Sequence, residues 1–535
     1  MKINIIFYIL LSFTFTLLPA CNSGGSNVET NIVPKVNEIE AAKGQLAISA
    51  TMNLIWEPGN EKVAEIANQF SDFIVQNTNI KQVNFNQAYD NSATKVSFQL
   101  INEEQSVNLE GYQLVIDEKG VVVSANSEIG LFYGTQSLKQ ILIDDSLQNK
   151  LPFLRITDAP SFGYRGMMLD VSRHFFTIAE VKTMLDLMAF YKLNTLHWHL
   201  TDDQGWRVEI DKYPLLTEIG SYRNETIVDK NFDPFIGDGI SHSGFYTQAE
   251  IRDIVKYAQA RYITIIPEID MPGHMQAAIA AYPELACTDG PFEVSTRWGV
   301  HKDILCPKDI TFTFLEDVLI EVMSLFPGRY VHIGGDEVPI TRWQQSEVAQ
   351  AFINANGLKD EHELQGYFYE RMEQFLSQHG RQAIGWDEIQ EKGIENATTI
   401  TAWRDISFAK TAVRTGHQVI LNTTDSTYFN YYQDDPASEP LAQCCMVTLK
   451  DVYNIQLLYT DLSEQENELI IGAQGSLWTE FIKTNTHLQY MLLPRMLALS
   501  EALWTNEANK NWSQFQQKLD KHYVYFDKNA INYHH

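Results

Sequence analysis

The chain has 535 residues, with 40 Lys and Arg against 68 Asp and Glu, so its formal net charge is −28. Hydrophobic residues make up 44% and charged residues 20% of the chain, a composition typical of folded soluble domains. The large excess of negative charge repels phosphate backbones and argues against nucleic acid as a partner. The length allows a small domain beside one large barrel.

The first 20 residues have the pattern of an export signal. Lys2 precedes an apolar run over residues 3–18, which is short for a membrane span. The run leads to Leu18-Pro-Ala-Cys21, which resembles the lipobox of bacterial lipoproteins except for its proline. We expect residues 1–20 to be removed, Cys21 to carry a lipid and residues 21–31 to form a flexible tether. The protein would then be exported to the periplasm or surface of a bacterium and would contact the membrane through its lipid anchor only; simple secretion is the alternative.

Four further cysteines follow in the mature chain, namely Cys287, Cys306, Cys444 and Cys445. In an exported protein, Cys287 and Cys306 can pair across a short loop, whereas the adjacent Cys444 and Cys445 are hard to bridge without strain. No CxxC motif and no Cys/His zinc spacing is present in the sequence.

Residues 32–158 are predicted to form a small α+β domain. Alternating apolar residues predict strands over residues 95–101, 111–116 and 120–124, and helical spacing predicts helices over residues 61–76 and 129–142. Strands gathered together with helices nearby are typical of such a domain. It carries no pattern that indicates chemistry.

From residue 159 to residue 535 the pattern predicts a (β/α)8 barrel with a C-terminal helix. Short apolar runs alternate with amphipathic helices, which is typical of a parallel sheet, and eight such runs close a barrel. Two of the intervening helices begin with capping boxes, at Thr177 to Glu180 and at Thr247 to Glu250. The eight runs cover residues 166–170, 195–199, 263–267, 330–333, 382–385, 399–403, 418–422 and 470–474.

In such a barrel the catalytic residues follow the carboxyl ends of the strands. The fourth run leads to His332-Ile-Gly-Gly-Asp-Glu337, in which two glycines allow close backbone approach to a ligand and two adjacent carboxylates follow. Because two carboxylates so close cannot both ionise cheaply, one can stay protonated as a general acid beside an anion. Asp336 and Glu337 are therefore the candidate catalytic pair.

Three tryptophans are expected at the same end of the barrel. Trp386, Trp403 and Trp478 each follow a different predicted strand. An indole face stacks well on the apolar face of a sugar ring. Three of them beside paired carboxylates indicate a carbohydrate site.

Six segments together resemble the β-N-acetylhexosaminidases of glycoside hydrolase family 20, in the family's order and over nearly the whole mature chain. They are Arg165-Gly-Met-Met-Leu-Asp-Val-Ser-Arg-His174, His197-Trp-His-Leu-Thr-Asp-Asp-Gln-Gly-Trp206, Pro267-Glu-Ile-Asp-Met-Pro-Gly-His274, His332-Ile-Gly-Gly-Asp-Glu337, Gly385-Trp-Asp-Glu-Ile389 and Gly475-Ser-Leu-Trp-Thr-Glu480. The resemblance implies an exo-acting hydrolase that removes terminal non-reducing β-linked N-acetylglucosamine or N-acetylgalactosamine from a glycan. It implies neither a metal nor another cofactor.

The resemblance also implies a mechanism in which the substrate supplies the nucleophile. The carbonyl of the 2-acetamido group attacks the anomeric carbon, which gives an oxazolinium intermediate with retention of configuration. Glu337 acts first as general acid and then as base, and Asp336 orients the acetamido group and stabilises the charge on its nitrogen.

The remaining roles are also implied by the resemblance. Arg165 and Glu480 would bind sugar hydroxyls, Asp202 and His274 would hold the general acid, and Tyr428 would donate to the acetamido oxygen. Trp386, Trp403 and Trp478 would form the pocket walls. At Asn430 the family more often has Asp, so the charge-assisted bond to a hydroxyl is lost here.

Two other classes of function are compatible with parts of the sequence. The spacing of His197 and His199 is that of metal-dependent amidohydrolases, with His274 and aspartates as further candidate ligands. A lipid-anchored glycan-binding protein would keep the tryptophan pocket without catalysis, but it would not need both Asp336 and Glu337.

Overall fold

The computed structural model describes residues 30–86, 93–101, 108–394 and 397–535. The predicted export signal, Cys21 and most of the tether lie outside these residues. Within them, no helix combines the length and the apolar character needed to cross a membrane.

The N-terminal domain is a seven-stranded sheet packed against two helices, in the strand order β1-β7-β5-β6-β4-β2-β3. Asn60 and Ser127 cap the two helices, α1 and α2, because each side chain accepts a backbone N–H of the first turn. The elements are β1 (Glu38–Ala47), β2 (Thr51–Ile55), α1 (Glu61–Asn77), β3 (Gln82–Phe85), β4 (Thr94–Leu100), β5 (Tyr112–Asp117), β6 (Gly120–Ala125), α2 (Glu128–Leu142) and β7 (Lys150–Asp158).

The second domain is a closed barrel of eight parallel strands, in the order β16-β17-β18-β19-β20-β21-β8-β9. The predicted fold class is therefore confirmed, and each of the eight predicted runs overlaps one barrel strand. The strands of this domain are β8 (Tyr164–Asp170), β9 (Thr195–His199), β10 (Thr201–Asp202), β11 (Gly205–Trp206), β12 (Tyr222–Arg223), β13 (Ile227–Phe232), β14 (Phe235–Gly237), β15 (His242–Ser243), β16 (Thr264–Glu268), β17 (Tyr330–His332), β18 (Gln382–Trp386), β19 (Thr399–Ala402), β20 (Val419–Leu421) and β21 (Ile470–Leu477).

Helices between the strands cover the outside of the barrel. Both predicted capping boxes are present, at the starts of α3 and α5. The helices are α3 (Ile178–Phe190), α4 (Leu215–Glu218), α5 (Gln248–Gln259), α6 (Gln276–Ala281), α7 (Asp309–Leu325), α8 (Thr341–Gln345), α9 (Glu347–Ala355), α10 (Glu361–Gln378), α11 (Ile406–Arg414), α12 (Leu449–Tyr453), α13 (Glu464–Glu468), α14 (Asn485–Leu492), α15 (Arg495–Trp504) and α16 (Trp512–Lys528).

The loop between β16 and α7 is closed by a disulfide. Cys287 and Cys306 form this bond, with their Cα atoms 4.8 Å apart. Cys444 and Cys445 are free thiols. The disulfide ties together a loop that begins beside the catalytic end of the barrel.

Arg165 connects the two domains and does not reach the catalytic end. It lies near the start of β8 and is fully buried, and its guanidinium forms two hydrogen bonds to Glu110, at 2.8 and 2.9 Å. Its other three N–H groups donate to Tyr133 Oη and to the carbonyls of Phe162 and Lys192. Since a guanidinium has five N–H donors, none is left for a sugar. The prediction that Arg165 binds sugar hydroxyls was wrong.

Candidate active site

The candidate catalytic pair, Asp336 and Glu337, follows β17 and two glycines with positive φ angles. Gly334 and Gly335 have φ angles of 64° and 103°. A Cβ atom on Gly334 would lie 1.8 Å from Asp270 Oδ1, and the Gly335 N–H donates to this same oxygen at 2.9 Å. The two glycines therefore let the segment turn tightly over Asp270 and present Asp336 and Glu337 at the open end of the barrel.

The two carboxylates differ in exposure. The side chain of Asp336 is 14% exposed and that of Glu337 is 42% exposed. Asp336 Oδ1 has no hydrogen-bond partner among the described residues. An unpaired carboxylate oxygen in a concave site is a ready acceptor for an N–H group of a ligand.

His274 lies between this pair and a second pair of carboxylates. Its Nε2 is 3.8 Å from Asp336 Oδ2 and 3.7 Å from Glu337 Oε2. Its Nδ1 is 3.2 Å from Asp202 Oδ1 and 3.1 Å from Asp203 Oδ2. Burial opposes a positive charge on His274, but Asp202 and the other carboxylates raise its pKa well above the ordinary value. His274 is therefore an imidazolium.

The pKa values of Asp336 and Glu337 move in opposite directions. The His274 side chain lowers the pKa of Glu337, mainly as a nearby positive charge because 3.7 Å is longer than a hydrogen bond. Burial, followed by the neighbouring Asp270, raises the pKa of Asp336 well above its usual range. Burial also raises the pKa of Asp270, to about 7. In the ligand-free site Asp336 therefore has the higher pKa of the two acids and keeps its proton to higher pH than Glu337.

Arg173 occupies the position that the sequence analysis assigned to Arg165. It follows β8 and pairs with Asp202 at 2.7 Å and with Asp170 at 3.3 Å, while its Nε donates to Gln204. Its guanidinium lies over the Trp478 ring, 5.0 Å from the centroid. Among the described residues these contacts use three of its five donors, so two remain for a ligand. The strand-end rule identifies this arginine, because residue 173 lies beyond the end of β8 and residue 165 near its start.

The predicted aromatic residues come together at the same end of the barrel. The Trp386 and Trp478 rings are 5.7 Å apart, and the Trp403 and Tyr428 rings are stacked at 6.2 Å. Burial raises the pKa of Tyr428 well above 10, and the charge of Asp336 adds to the shift. Tyr428 also interacts with Trp478, so the four rings form one group at this end of the barrel.

Two acidic residues hold Trp403 in place. The Asp387 carboxylate accepts the Trp403 backbone N–H at 2.9 Å, and Glu388 Oε2 accepts the Trp403 indole N–H at 3.0 Å. Burial, and then the charge of Asp336, raises the pKa of Glu388 to about 9. Glu388 belongs to the Gly385-Trp-Asp-Glu-Ile389 motif, and the sequence analysis gave it no role.

Asn430 is buried and Glu480 is partly buried, and each has one buried oxygen that is an unused acceptor. Asn430 Oδ1 and Glu480 Oε2 have no hydrogen-bond partner among the described residues. Burial raises the pKa of Glu480 to about 6, although Arg173 opposes the shift. Because an unpaired buried acceptor is costly, both atoms fit the hydroxyl groups of a sugar.

His197 and His199 do not form a site of the amidohydrolase kind. Both imidazoles face the fully buried Glu268, together with His332 and the indole of Trp386. The Trp386 N–H and His332 Nδ1 lie 2.8 and 3.0 Å from Glu268 Oε1, while both other imidazoles face Oε2. An indole N–H is a donor and cannot ligate a metal. Among the described residues, none of the groups whose ligand atoms are close enough to share a metal ion includes both His197 and His199; the group that contains His197 consists of His197, Glu268 and His332.

The family comparisons agree with this architecture. A model described as glycosyl hydrolase family 20, catalytic domain, matches residues 162–507, and one described as glycosyl hydrolase family 20, domain 2, matches residues 29–159. The beta-hexosaminidase of Porphyromonas gingivalis is 45% identical over 434 residues, which cover 79% of this chain and 54% of that protein. This chain therefore spans about half the length of that relative.

Two further proteins are similar over more of their length. The beta-hexosaminidase of Vibrio furnissii is 36% identical over 478 residues, covering 88% of this chain and 76% of that protein. The solved structure of a GH20 exo β-N-acetylglucosaminidase from Vibrio harveyi, in complex with N-acetylglucosamine, is 32% identical with a TM-score of 0.83. The match covers 95% of this chain and 78% of the Vibrio harveyi chain.

Proposed function

This chain belongs to glycosyl hydrolase family 20, and on that premise we propose that it is an exo-acting β-N-acetylhexosaminidase. Its substrate would be a glycan that ends in non-reducing β-linked N-acetylglucosamine or N-acetylgalactosamine. The observation that carries the proposal is the adjacent pair Asp336 and Glu337, with His274 3.8 and 3.7 Å from them and four aromatic rings grouped at the same end of the barrel.

The nucleophile in this proposal is the carbonyl oxygen of the substrate's own acetamido group. It attacks the anomeric carbon as the glycosidic bond breaks, which gives an oxazolinium ion that water later opens. Asp336 accepts the acetamido N–H at its unpaired Oδ1 and stabilises the positive charge that develops on the nitrogen. Because the attack is intramolecular, correct orientation of the acetamido group supplies much of the rate.

Glu337 protonates the leaving oxygen and afterwards removes a proton from the attacking water. Its exposure at the edge of the cleft suits contact with the leaving group. In the free site Glu337 has the lower pKa of the pair, so the proton must move to it when substrate binds. The leaving group removes water from Glu337, and the charge on the acetamido nitrogen favours the Asp336 anion. Both effects favour the proton on Glu337 and the negative charge on Asp336, which is the reverse of the ligand-free site.

The remaining contacts hold the terminal sugar. Trp386, Trp403 and Trp478 pack against the acetamido group and the ring, and Tyr428 donates to the acetamido oxygen. Arg173, in place of Arg165, provides the free guanidinium donors for the hydroxyls. Glu480 and Asn430 provide hydroxyl acceptors, namely the two oxygens that lack partners among the described residues.

A panel of three aryl glycosides tests the proposed function. The N-acetylglucosaminide and the N-acetylgalactosaminide both carry the nucleophilic amide, whereas a plain glucoside with the same aryl group lacks it. We expect hydrolysis of at least one N-acetylated substrate and no detectable hydrolysis of the glucoside. Equal turnover of the glucoside would exclude the substrate-assisted mechanism, and sugar binding without turnover would favour the glycan-binding alternative.

We further propose that the protein is an exported lipoprotein anchored through Cys21. The support is the apolar segment before Cys21 and its lipobox-like end, together with the Cys287–Cys306 disulfide, which fits an oxidising compartment. Expression of the full chain and of Cys21→Ser in a bacterial host, followed by detergent phase partitioning, tests the anchor. The full chain should enter the detergent phase and Cys21→Ser should not. Equal partitioning of the two would contradict lipidation.

A further inference from the structure

Five alternating acidic and imidazole side chains run from the buried base of the site to the exposed general acid. We call this set the acid–imidazole series: Glu268, His199, Asp202, His274 and Glu337. His199 Nδ1 faces Glu268 Oε2, and its Nε2 is 2.9 Å from Asp202 Oδ2. Asp202 Oδ1 is then 3.2 Å from His274 Nδ1, and His274 Nε2 is 3.7 Å from Glu337 Oε2. The first two residues have no part in the mechanism described above.

His199 lies between two carboxylates. Although burial opposes ionisation of both acids, Arg173 lowers the pKa of Asp202 and the imidazoles lower the pKa of Glu268 well below their usual ranges, so both are acceptors. Because each ring nitrogen of His199 faces one of these carboxylate oxygens, each carries a proton and the ring is an imidazolium. Burial opposes this charge, but Glu268 and then the hydrogen bond to Asp202 raise the pKa of His199 well above its ordinary value. His199 therefore offers Asp202 a third positive partner besides Arg173 and His274.

Glu268 is fixed in turn by its own partners. Strand β16 lies between β9 and β17, in a register that pairs Glu268 with His199 on one side and with His332 on the other. Both carboxylate oxygens are used, since His197 and Trp386 also point at Glu268. The carboxylate can hold His199 in one orientation because the Trp386 N–H and His332 Nδ1, 2.8 and 3.0 Å from its other oxygen, already hold the carboxylate.

We propose that His199 and Glu268 are positioning residues for the general acid. Through Asp202 they fix the orientation of His274, and His274 in turn holds the Glu337 carboxyl at the leaving-group side of the cleft. The inference rests on the proposed function, because it requires Glu337 to be the acid.

The importance of this orientation follows from what surrounds His274. Its Nε2 is almost equidistant from Asp336 and Glu337, at 3.8 and 3.7 Å. A small rotation of Asp202 would move the imidazolium toward one carboxylate and away from the other. Because the two carboxylates have different roles, such a rotation changes the protonation of the acid without emptying the sugar pocket.

The test is the dependence of activity on the leaving group. A general acid is essential when the leaving group is a sugar and much less so when it is an acidic phenol. We expect His199→Gln to lower kcat/KM about 10- to 100-fold on a disaccharide of β-linked N-acetylglucosamine, as typical for loss of a supporting hydrogen bond, and about threefold or less on the dinitrophenyl glycoside. KM for the dinitrophenyl glycoside should stay near that of the unmodified protein.

His197→Gln is the matched control. His197 is as buried as His199 and also contacts Glu268, at 2.9 Å, but it faces His332 and Trp386 instead of Asp202. Whatever activity this variant loses should be lost equally on both substrates. Thermal unfolding of every variant establishes that it is folded, and Glu268→Gln, which keeps the shape of the carboxylate, carries the same test if His199→Gln does not fold.

A second measurement uses the Glu337→Gln background. If His199 acts through Glu337, adding His199→Gln to Glu337→Gln should lower activity by less than about twofold. The reason is that the effects of substitutions at two interacting residues do not add. Equal losses of the single variant on both substrates, or multiplicative losses in the double variant, would overturn the inference. An unmodified protein that hydrolyses neither N-acetylated substrate would instead refute the proposed function.

Discussion

His274 directs its Nε2 toward Glu337, at 3.7 Å, from a ring whose other nitrogen is held by Asp202 and Asp203. One buried imidazolium thereby connects a fixed pair of carboxylates to the pair proposed to react. This arrangement explains the lowered pKa of Glu337 in the free site, and it defines which substitutions separate the roles of the neighbouring acids.

Replacing Glu337 with Gln removes the transferable proton and keeps the size of the side chain. We expect kcat/KM to fall about 10²- to 10⁴-fold on a substrate with a sugar leaving group, which is the usual contribution of a general acid. The loss on a dinitrophenyl glycoside should be much smaller, because that leaving group departs without protonation. Steady-state kinetics on both substrates check this, and equal losses would contradict the acid role.

Replacing Asp336 with Asn removes the charge that stabilises the acetamido nitrogen. The rate should fall by about 10²-fold or more on every substrate, since the stabilisation is needed however easily the leaving group departs. The same two substrates measure it. Turnover near that of the unmodified protein would remove Asp336 from the mechanism.

The charge of His274 determines the position of the pH profile. The imidazolium lowers the pKa of Glu337 and opposes the upward shift at Asp336, so His274→Gln should raise the pKa of both groups. The ascending limb of kcat/KM reports ionisation of the first carboxyl, and the descending limb reports loss of the proton that the pair shares. Both limbs should therefore move to higher pH while the maximum falls. Limbs that stay in place or move to lower pH would show that His274 is not charged.

Asn430→Asp restores the residue that the family more often has at this position. A hydrogen bond to a charged acceptor contributes about 1–2 kcal/mol more than one to a neutral acceptor, so kcat/KM on one N-acetylated substrate should rise about 5- to 30-fold. Comparing the N-acetylglucosaminide with the N-acetylgalactosaminide shows which hydroxyl is bound. Unchanged kinetics on both sugars would place Asn430 outside the hydroxyl contacts.

Arg165 and Arg173 should respond oppositely to substitution. Arg165→Gln breaks the buried pair with Glu110 and should lower the free energy of unfolding by about 3 kcal/mol or more, with near-normal KM in the folded fraction. Arg173→Gln should chiefly raise KM and lower kcat/KM, because it removes donors from the sugar site. Denaturant unfolding and steady-state kinetics of both variants check this. A large rise in KM for Arg165→Gln with unchanged stability would place Arg165 among the sugar contacts.

The sequence by itself determined the elements and the chemistry carried on single segments. Strand runs, capping boxes and the His332-Ile-Gly-Gly-Asp-Glu337 motif are local patterns, in which the deciding residues are close neighbours along the chain. Such patterns predicted the barrel and the catalytic pair without knowledge of any long-range contact.

Only the tertiary structure decided which distant side chains meet. Arg165 and Arg173 are eight positions apart in one motif, yet β8 carries one to Glu110 at the domain interface and the other to Asp202 at the candidate active site. Likewise, His199 reaches Glu268 because β9 and β16 are neighbours in the barrel, in a register that sets these residues side by side. The direction and register of strands are fixed by packing of the whole barrel, and no pattern within one segment records them.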